Sequence, residues 1–183
     1  MAEVLVVVVN GSEDIETITP IDMLRRAGAN VTVASCTSNK EIQLSTGTHI
    51  QADCTLNDVA SRQFQMIVVP GGPGAAEISQ NTTLIEMLRR QKEAGRWLAG
   101  ICASPAKVFE PHGLLQGERA TCYPMNAHEL SDRSKTNERV VTSNKLVTSM
   151  GAGTAMDFSI ELVNCLFGST KAQEVSGKVC YTA

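Results

Sequence analysis

Val4 to Val9 is an unbroken aliphatic run, Val4-Leu5-Val6-Val7-Val8-Val9, with no polar face. A strand that presents apolar residues to both sides belongs in the middle of a covered sheet. Shorter β-branched runs follow at Val31–Ala34, Met66–Val69 and Leu146–Thr148, and Arg96-Trp97-Leu98-Ala99 leads into Gly100. Between these runs the apolar period changes to that of a helix. Pro20–Ala27 forms one helix, with Thr19 as N-cap and Gly28 as stop, or begins several residues earlier with Pro20 in its first turn. Thr82 or Thr83 opens another that runs to Ala94, placing Leu84, Ile85 and Leu88 on one face before Gly95. Thr154-x-x-Asp157 has capping-box spacing for a helix through Phe167, and Lys171–Tyr181 makes a final one. Thr48–Ala52 belongs to a small antiparallel element. Strands spaced by helices give right-handed crossovers and a mostly parallel sheet covered on both faces, an α/β three-layer sandwich. No linker or repeat divides residues 1–183, so one domain is expected.

Composition narrows the partners. Hydrophobic residues make up 43% and charged residues 19% of the 183, and the formal net charge is −3. That is an ordinary globular balance, with no basic stripe and few aromatic residues to hold nucleic acid. The opening aliphatic run is too short to span a bilayer and no cleavage pattern follows it, which points to the cytoplasm. The six cysteines (Cys36, Cys54, Cys102, Cys122, Cys165, Cys180) contain no C-x-x-C pair and no zinc-ligand spacing. They are expected as free thiols, with no metal. Cys36, Cys54 and Cys165 read as core or edge residues.

Gly100-Ile101-Cys102-Ala103-Ser104-Pro105 differs from the other cysteine surroundings. Small residues flank a cysteine between a buried strand and a helix whose first turn holds a proline. A sharp strand-to-helix turn needs small neighbours, the mechanical basis of a nucleophile elbow. It would aim the sulfur at unpaired helix N–H groups, which favour a thiolate. The loops after Val9, Val69 and Ile101 follow the carboxyl ends of strands, where open α/β sheets place their crevice. Asn10–Thr17, Pro70-Gly71-Gly72 and Cys102 are thereby brought within reach of one another. Glu13 and Asp14 serve a helix start.

Glu16, Pro70-Gly71-Gly72 and Ala99-Gly100-Ile101-Cys102-Ala103 together resemble the motifs of the ThiJ/PfpI superfamily, in particular its Parkinsonism-associated deglycase branch. Pro20–Gly28, Val31–Ala34 and Thr148–Thr154 extend the resemblance over nearly the whole chain. It implies a flavodoxin-like fold, a homodimer, a reactive Cys102 and a carboxyl neighbour in Glu16. It also implies an anion pocket lined by the backbone N–H groups of Gly72 and Ala103, with Gly71 beside it, and chemistry that uses no cofactor or metal. Three departures stand out. Tyr123 occupies a position that often holds histidine, leaving Tyr123 and the nearby His128 as auxiliary candidates, His128 otherwise being a solvated surface group. Ala103, where the peptidase branch has histidine, argues against proteolysis. Met150 stands where some relatives have arginine.

Lowering a thiol pKa from about 8.5 by about three units raises its thiolate fraction about 30-fold and cuts its nucleophilicity about 20-fold. Acidity alone therefore adds little, and positioning must supply the rate. A carboxylate beside a thiolate repels it, so Cys102 and Glu16 are expected to share one proton, held by Glu16. Such a pair suits attack on an aldehyde followed by proton transfer between neighbouring carbons. The expected function is detoxification of dicarbonyls such as methylglyoxal without glutathione, with deglycase action on glycated adducts. The alternative is a redox sensor or stress-protective chaperone-like protein in which Cys102 is oxidised to sulfinate.

Overall fold

A computed structural model describes residues 1–182. Its main sheet is built from β1 (Glu3–Val8), β2 (Asn30–Ser35), β5 (Cys54–Thr55), β6 (Met66–Val69), β7 (Trp97–Ile101), β8 (Val140–Ser143) and β9 (Leu146–Ser149). The strand order is β5-β2-β1-β6-β7-β9-β8. Every neighbouring pair is parallel except the β8–β9 hairpin at one edge. β3 (Glu41–Gln43) and β4 (His49–Gln51) form the small antiparallel element expected near Thr48–Ala52.

The central position of β1 explains its composition. Val4 to Val9 are all fully buried, the even-numbered residues facing one core and the odd-numbered ones the other. One face packs on α2 (Leu56–Val59), α3 (Ala75–Gln80) and α4 (Thr82–Glu93), through Leu56, Ile78, Leu84 and Leu88. The other packs on α1 (Asp14–Arg26), α5 (Ala155–Phe167) and α6 (Ser169–Lys178), through Leu24, Phe158, Leu162 and Val175. At roughly 1.5–3 kcal/mol for each buried aliphatic side chain, this strand anchors both layers. A charge at Val6 would be stranded without a partner.

Four details differ from the sequence pattern. α1 starts at Asp14, capped by the Glu13 carboxylate, which accepts from the Glu16 N–H at 2.7 Å, so Thr19 is not the cap. Pro20 lies inside the helix, where its missing N–H removes one intrahelical bond. Residues Pro105–Phe109 after Cys102 form a single π-helical turn where an ordinary helix is expected. The Thr154/Asp157 capping box does not form around α5. The Thr154 hydroxyl instead meets that of Ser149 at 2.6 Å, and Asp157 pairs with Arg139.

Candidate active site

β1, β6, β7 and β9 are consecutive in the sheet, and their carboxyl ends carry the loops that build the site. Five hydrogen bonds hold these loops in register. The N–H of Glu13 donates to the Gly71 carbonyl at 3.1 Å, and the N–H of Gly71 donates to Glu16 Oε2 at 2.9 Å. The Ser104 hydroxyl donates to the Pro70 carbonyl at 2.5 Å, tying the turn after β7 to the same loop. The N–H of Cys102 donates to the Ser149 carbonyl at 2.9 Å, and the Cys102 carbonyl accepts from the Tyr123 N–H at 2.8 Å.

Cys102 has φ of 63°, in the left-handed region that few non-glycine residues occupy. Holding an L-residue there costs about 1–2 kcal/mol, paid for by the closures on either side of it. The close approach of the loops also depends on Gly71 and Gly72. A Cβ on Gly71 would lie 2.6 Å from Cys102 Cβ and 2.7 Å from Glu16 Oε2, and one on Gly72 would lie 2.5 Å from the Gly11 carbonyl oxygen. Gly72 itself has φ of 85°.

Glu16, only 1% exposed, sets its carboxyl beside the sulfur of Cys102. The Gly71 N–H donates to this carboxyl, and the Ala152 backbone also acts to lower its pKa. Burial outweighs both and pushes Glu16 up to about 7. Burial, then the charge on Glu16 and their hydrogen bond, push the Cys102 thiol up to about 12, against the N–H groups of Gly72 and Ala103. The strand-to-turn context therefore does not create an independently acidic thiol. The single π-helical turn supplies little dipole, and the facing carboxylate opposes a second negative charge. Protonating Glu16 removes that repulsion and turns its hydrogen bond into a donation toward sulfur. With the thiol pushed up to about 12 and the carboxyl to about 7, the shared proton rests on sulfur rather than on Glu16 as expected. A thiolate forms here only as that proton passes to Glu16.

The fold thus brings together Cys102, Glu16, Gly71, Gly72 and Ala103. Tyr123 joins them at the rim, 41% exposed, with its ring beside Gly151. His128 is exposed on the short 3-10 helix Pro124–Glu129, as the surface reading expects. Cys122 packs in the core on the opposite sheet face from the one Cys102 packs against, and its thiol donates to the Tyr123 carbonyl. Cys165 lies half-buried against Glu161 on α5. All six cysteines are free thiols. Among the described residues no cluster of His, Cys, Asp or Glu could hold a metal ion, and no helix is long and apolar enough to cross a membrane.

Sequence reasoning did not single out Ser149, Ala152 and Gly151. Two of them act through backbone groups and the third through having no side chain. The signals were Gly151-Ala152-Gly153 shortly after a strand and the place of Thr148–Thr154 in the family resemblance.

Residues 2–165 match the DJ-1/PfpI family. The chain belongs to that family. It is 42% identical over 174 residues to DJ-1 homolog A of Arabidopsis thaliana, a match covering 94% of this chain and 44% of that protein. It therefore spans less than half the length of that relative. A glutathione-independent glyoxalase of Caenorhabditis elegans, DJR-1.2, is 32% identical over 171 residues, covering 92% of this chain and 90% of that one. The solved structure of oxidized Toxoplasma gondii DJ-1 superimposes with a TM-score of 0.97 at 37% identity, covering 100% of both chains. The fold is the mixed α/β architecture of this family, with its mostly parallel central sheet.

Proposed function

We propose that this protein detoxifies reactive dicarbonyls such as methylglyoxal without glutathione, with Cys102 as nucleophile and Glu16 as acid and base. The observation that carries the reading is the buried Glu16 carboxyl set beside the Cys102 sulfur, where burial pushes it up to about 7. An acid poised near neutrality can give a proton and take one back within a single turnover. The glyoxalase name of the Caenorhabditis elegans relative supports the same chemistry.

The sulfur of Cys102 adds to the aldehyde carbon while Glu16 protonates the carbonyl oxygen, giving a hemithioacetal. The N–H groups of Gly72 and Ala103 stabilise charge at this centre. Glu16, now a carboxylate, removes the hydrogen on that carbon and delivers a proton to the neighbouring carbon through an enediol. The product is a lactoyl thioester of Cys102, which water hydrolyses to lactate and the free cysteine. One methylglyoxal and one water become one lactic acid, with no external oxidant or reductant. Removing free aldehyde also draws reversible glycation adducts apart, which joins the deglycase reading to the same site. A homodimer and a cytoplasmic setting belong to this proposal, the first checked by light scattering and the second by cell fractionation.

Lactate production from methylglyoxal without glutathione tests the reading directly. The intact chain is expected to produce it and Cys102→Ala to produce none. Equal production by both, or none by either, overturns the proposal.

A second reading rests on the ring of donors around the sulfur. Gly72 and Ala103 would hold a sulfinate on Cys102, with Glu16 as a third donor, making the site a redox sensor or the switch of a stress-protective chaperone-like protein. Intact mass after graded peroxide, compared with client-aggregation assays, tests it. Sulfinate formation that leaves every such activity unchanged would remove it.

A further inference from the structure

Gly151 is a glycine that the backbone does not need. Its φ of 165° and ψ of −168° are extended values open to any residue. A Cβ placed on it would make only ordinary contacts, at 3.7 Å from Tyr123 Cδ2, 3.8 Å from Glu16 Oε1 and 4.0 Å from Cys102 Sγ. Gly71, Gly72 and Gly74 are the opposite case, since a Cβ on each would come within 2.5–2.6 Å of its nearest neighbour. Steric need accounts for those three. At Gly151 the absent side chain leaves a carbon-sized space beside both reactive groups.

The position of that space relative to sulfur identifies what fits it. A separation of 4.0 Å from Sγ is the reach of an extended chain of three bonds, sulfur to the attacked carbon, to its neighbour, to one further atom. In a sulfur-bound 2-oxoaldehyde that further atom is the substituent on the ketone carbon. The Tyr123 ring forms one wall and favours an apolar group through dispersion contact. Glu16 Oε1 forms another, which sets the carboxyl beside the two carbons between which a proton must move.

We propose that Gly151 is a specificity-determining position, whose open niche between Tyr123, Glu16 and Cys102 receives the one-carbon substituent of a small 2-oxoaldehyde. This rests on the dicarbonyl reading above and narrows it to methyl-substituted substrates. Gly151→Ala places its own methyl where the substrate methyl sits, whereas glyoxal, with hydrogen at that position, needs no such room.

The test measures kcat/KM for methylglyoxal and glyoxal in the intact chain, Gly151→Ala and Gly153→Ala. Gly153 serves as control because a Cβ there meets nothing within 4 Å. The methylglyoxal-to-glyoxal ratio is expected to fall about tenfold or more in Gly151→Ala and to hold in Gly153→Ala, the usual discrimination for a methyl-sized misfit. An unchanged ratio in Gly151→Ala overturns the proposal, whether both substrates slow together or neither does.

A second readout does not depend on turnover. Iodoacetamide also places an atom three bonds from sulfur, whereas hydrogen peroxide does not. The ratio of Cys102 alkylation to Cys102 oxidation is expected to fall in Gly151→Ala, and an unchanged ratio again overturns the niche. If the intact chain turns over neither dicarbonyl, the functional reading fails while this ratio still decides the niche. Tyr123→Ala at the exposed rim covers the case of a poorly folded Gly151→Ala. It is expected to raise the phenylglyoxal-to-methylglyoxal ratio of kcat/KM, and no rise counts against the proposal.

Discussion

Asp14 and Glu16 stand two residues apart in the first turn of α1, and their carboxyls are driven in opposite directions. Asp14 is half-buried at the surface and accepts from the hydroxyls of Thr46 and Ser45 and from the Thr46 N–H, at 2.7–3.1 Å. The Thr48 hydroxyl first, then that of Thr46, hold it well below the usual carboxylate range. Glu16 also has hydrogen-bond donors, yet burial pushes it up to about 7. Sequence position and helix dipole are nearly the same for both. What separates them is access to water, so proximity to a helix start does not by itself assign an acid its chemistry.

Replacing each acid by its amide should expose this difference most sharply. Glu16→Gln keeps a hydrogen-bonding side chain beside Cys102 but cannot move a proton between carbons. Methylglyoxal turnover is expected to fall about 100-fold or more. Peroxide should still carry Cys102 to sulfinate, as intact mass would record. Turnover unaffected by this change would break the mechanism. Loss of both turnover and sulfinate formation would show that Glu16 matters as a packing group, like any other buried side chain.

The pH dependence of stability should differ in sign as well as size. A carboxyl raised from 4.5 to about 7 binds its proton more tightly in the folded protein than in the unfolded chain. The unfolded state therefore holds fewer protons across that window, and stability falls as pH rises from about 4.5 to 7. The full change is worth about 3 kcal/mol. Denaturant titrations at several pH values should show this downward slope in the intact chain and its flattening in Glu16→Gln. The same slope in both proteins would mean that the carboxyl is not held up by burial.

Gly71 is what permits that burial, so Gly71→Ala should blunt the contrast from the other side. Its Cβ would press on Cys102 Cβ, Glu16 Oε2 and the Ala103 N–H at once. Relief requires the loop to move, at about 1–3 kcal/mol of stability. Turnover should drop, and the Glu16-dependent pH slope should shrink as water reaches the carboxyl. A native-like slope together with native turnover would show that the loop has slack the present geometry does not suggest.

These residues were unequally legible beforehand. The sheet could be read because Val4–Val9, Met66–Val69 and Leu146–Thr148 must be buried to fold at all. Cys102, Glu16, Gly71, Gly72 and Ala103 could be brought together because their loops follow neighbouring strands. The start of α1 was obscured by Pro20, a common first-turn residue that here sits mid-helix. The capping pattern at Thr154 misled because a buried Ser149 hydroxyl competes for the same oxygen. Ala152 was invisible for a different reason. It acts on Glu16 from more than a hundred positions away through the backbone, which every residue carries.

The smallest effect expected is that of Asp14→Asn, and its pattern matters more than its size. A carboxyl lowered in the folded state contributes stability that is present above the unfolded value of 3.8 and lost as pH falls through the folded one. Because Asp14 lies at the surface and is only partly covered, solvent and salt screen that contribution. Thermal unfolding should show a slight deficit at neutral pH that closes as the solution becomes strongly acidic, with methylglyoxal turnover unchanged. The direction opposes the one expected for Glu16, where stability is lost on raising the pH. If Asp14→Asn instead removed turnover, the hydroxyl-bound acid would have to help set the geometry of its buried neighbour by fixing the first turn against the β3–β4 hairpin. An unfolding midpoint that followed the deficit while the catalytic pH profile stayed in place would separate that anchoring from proton transfer.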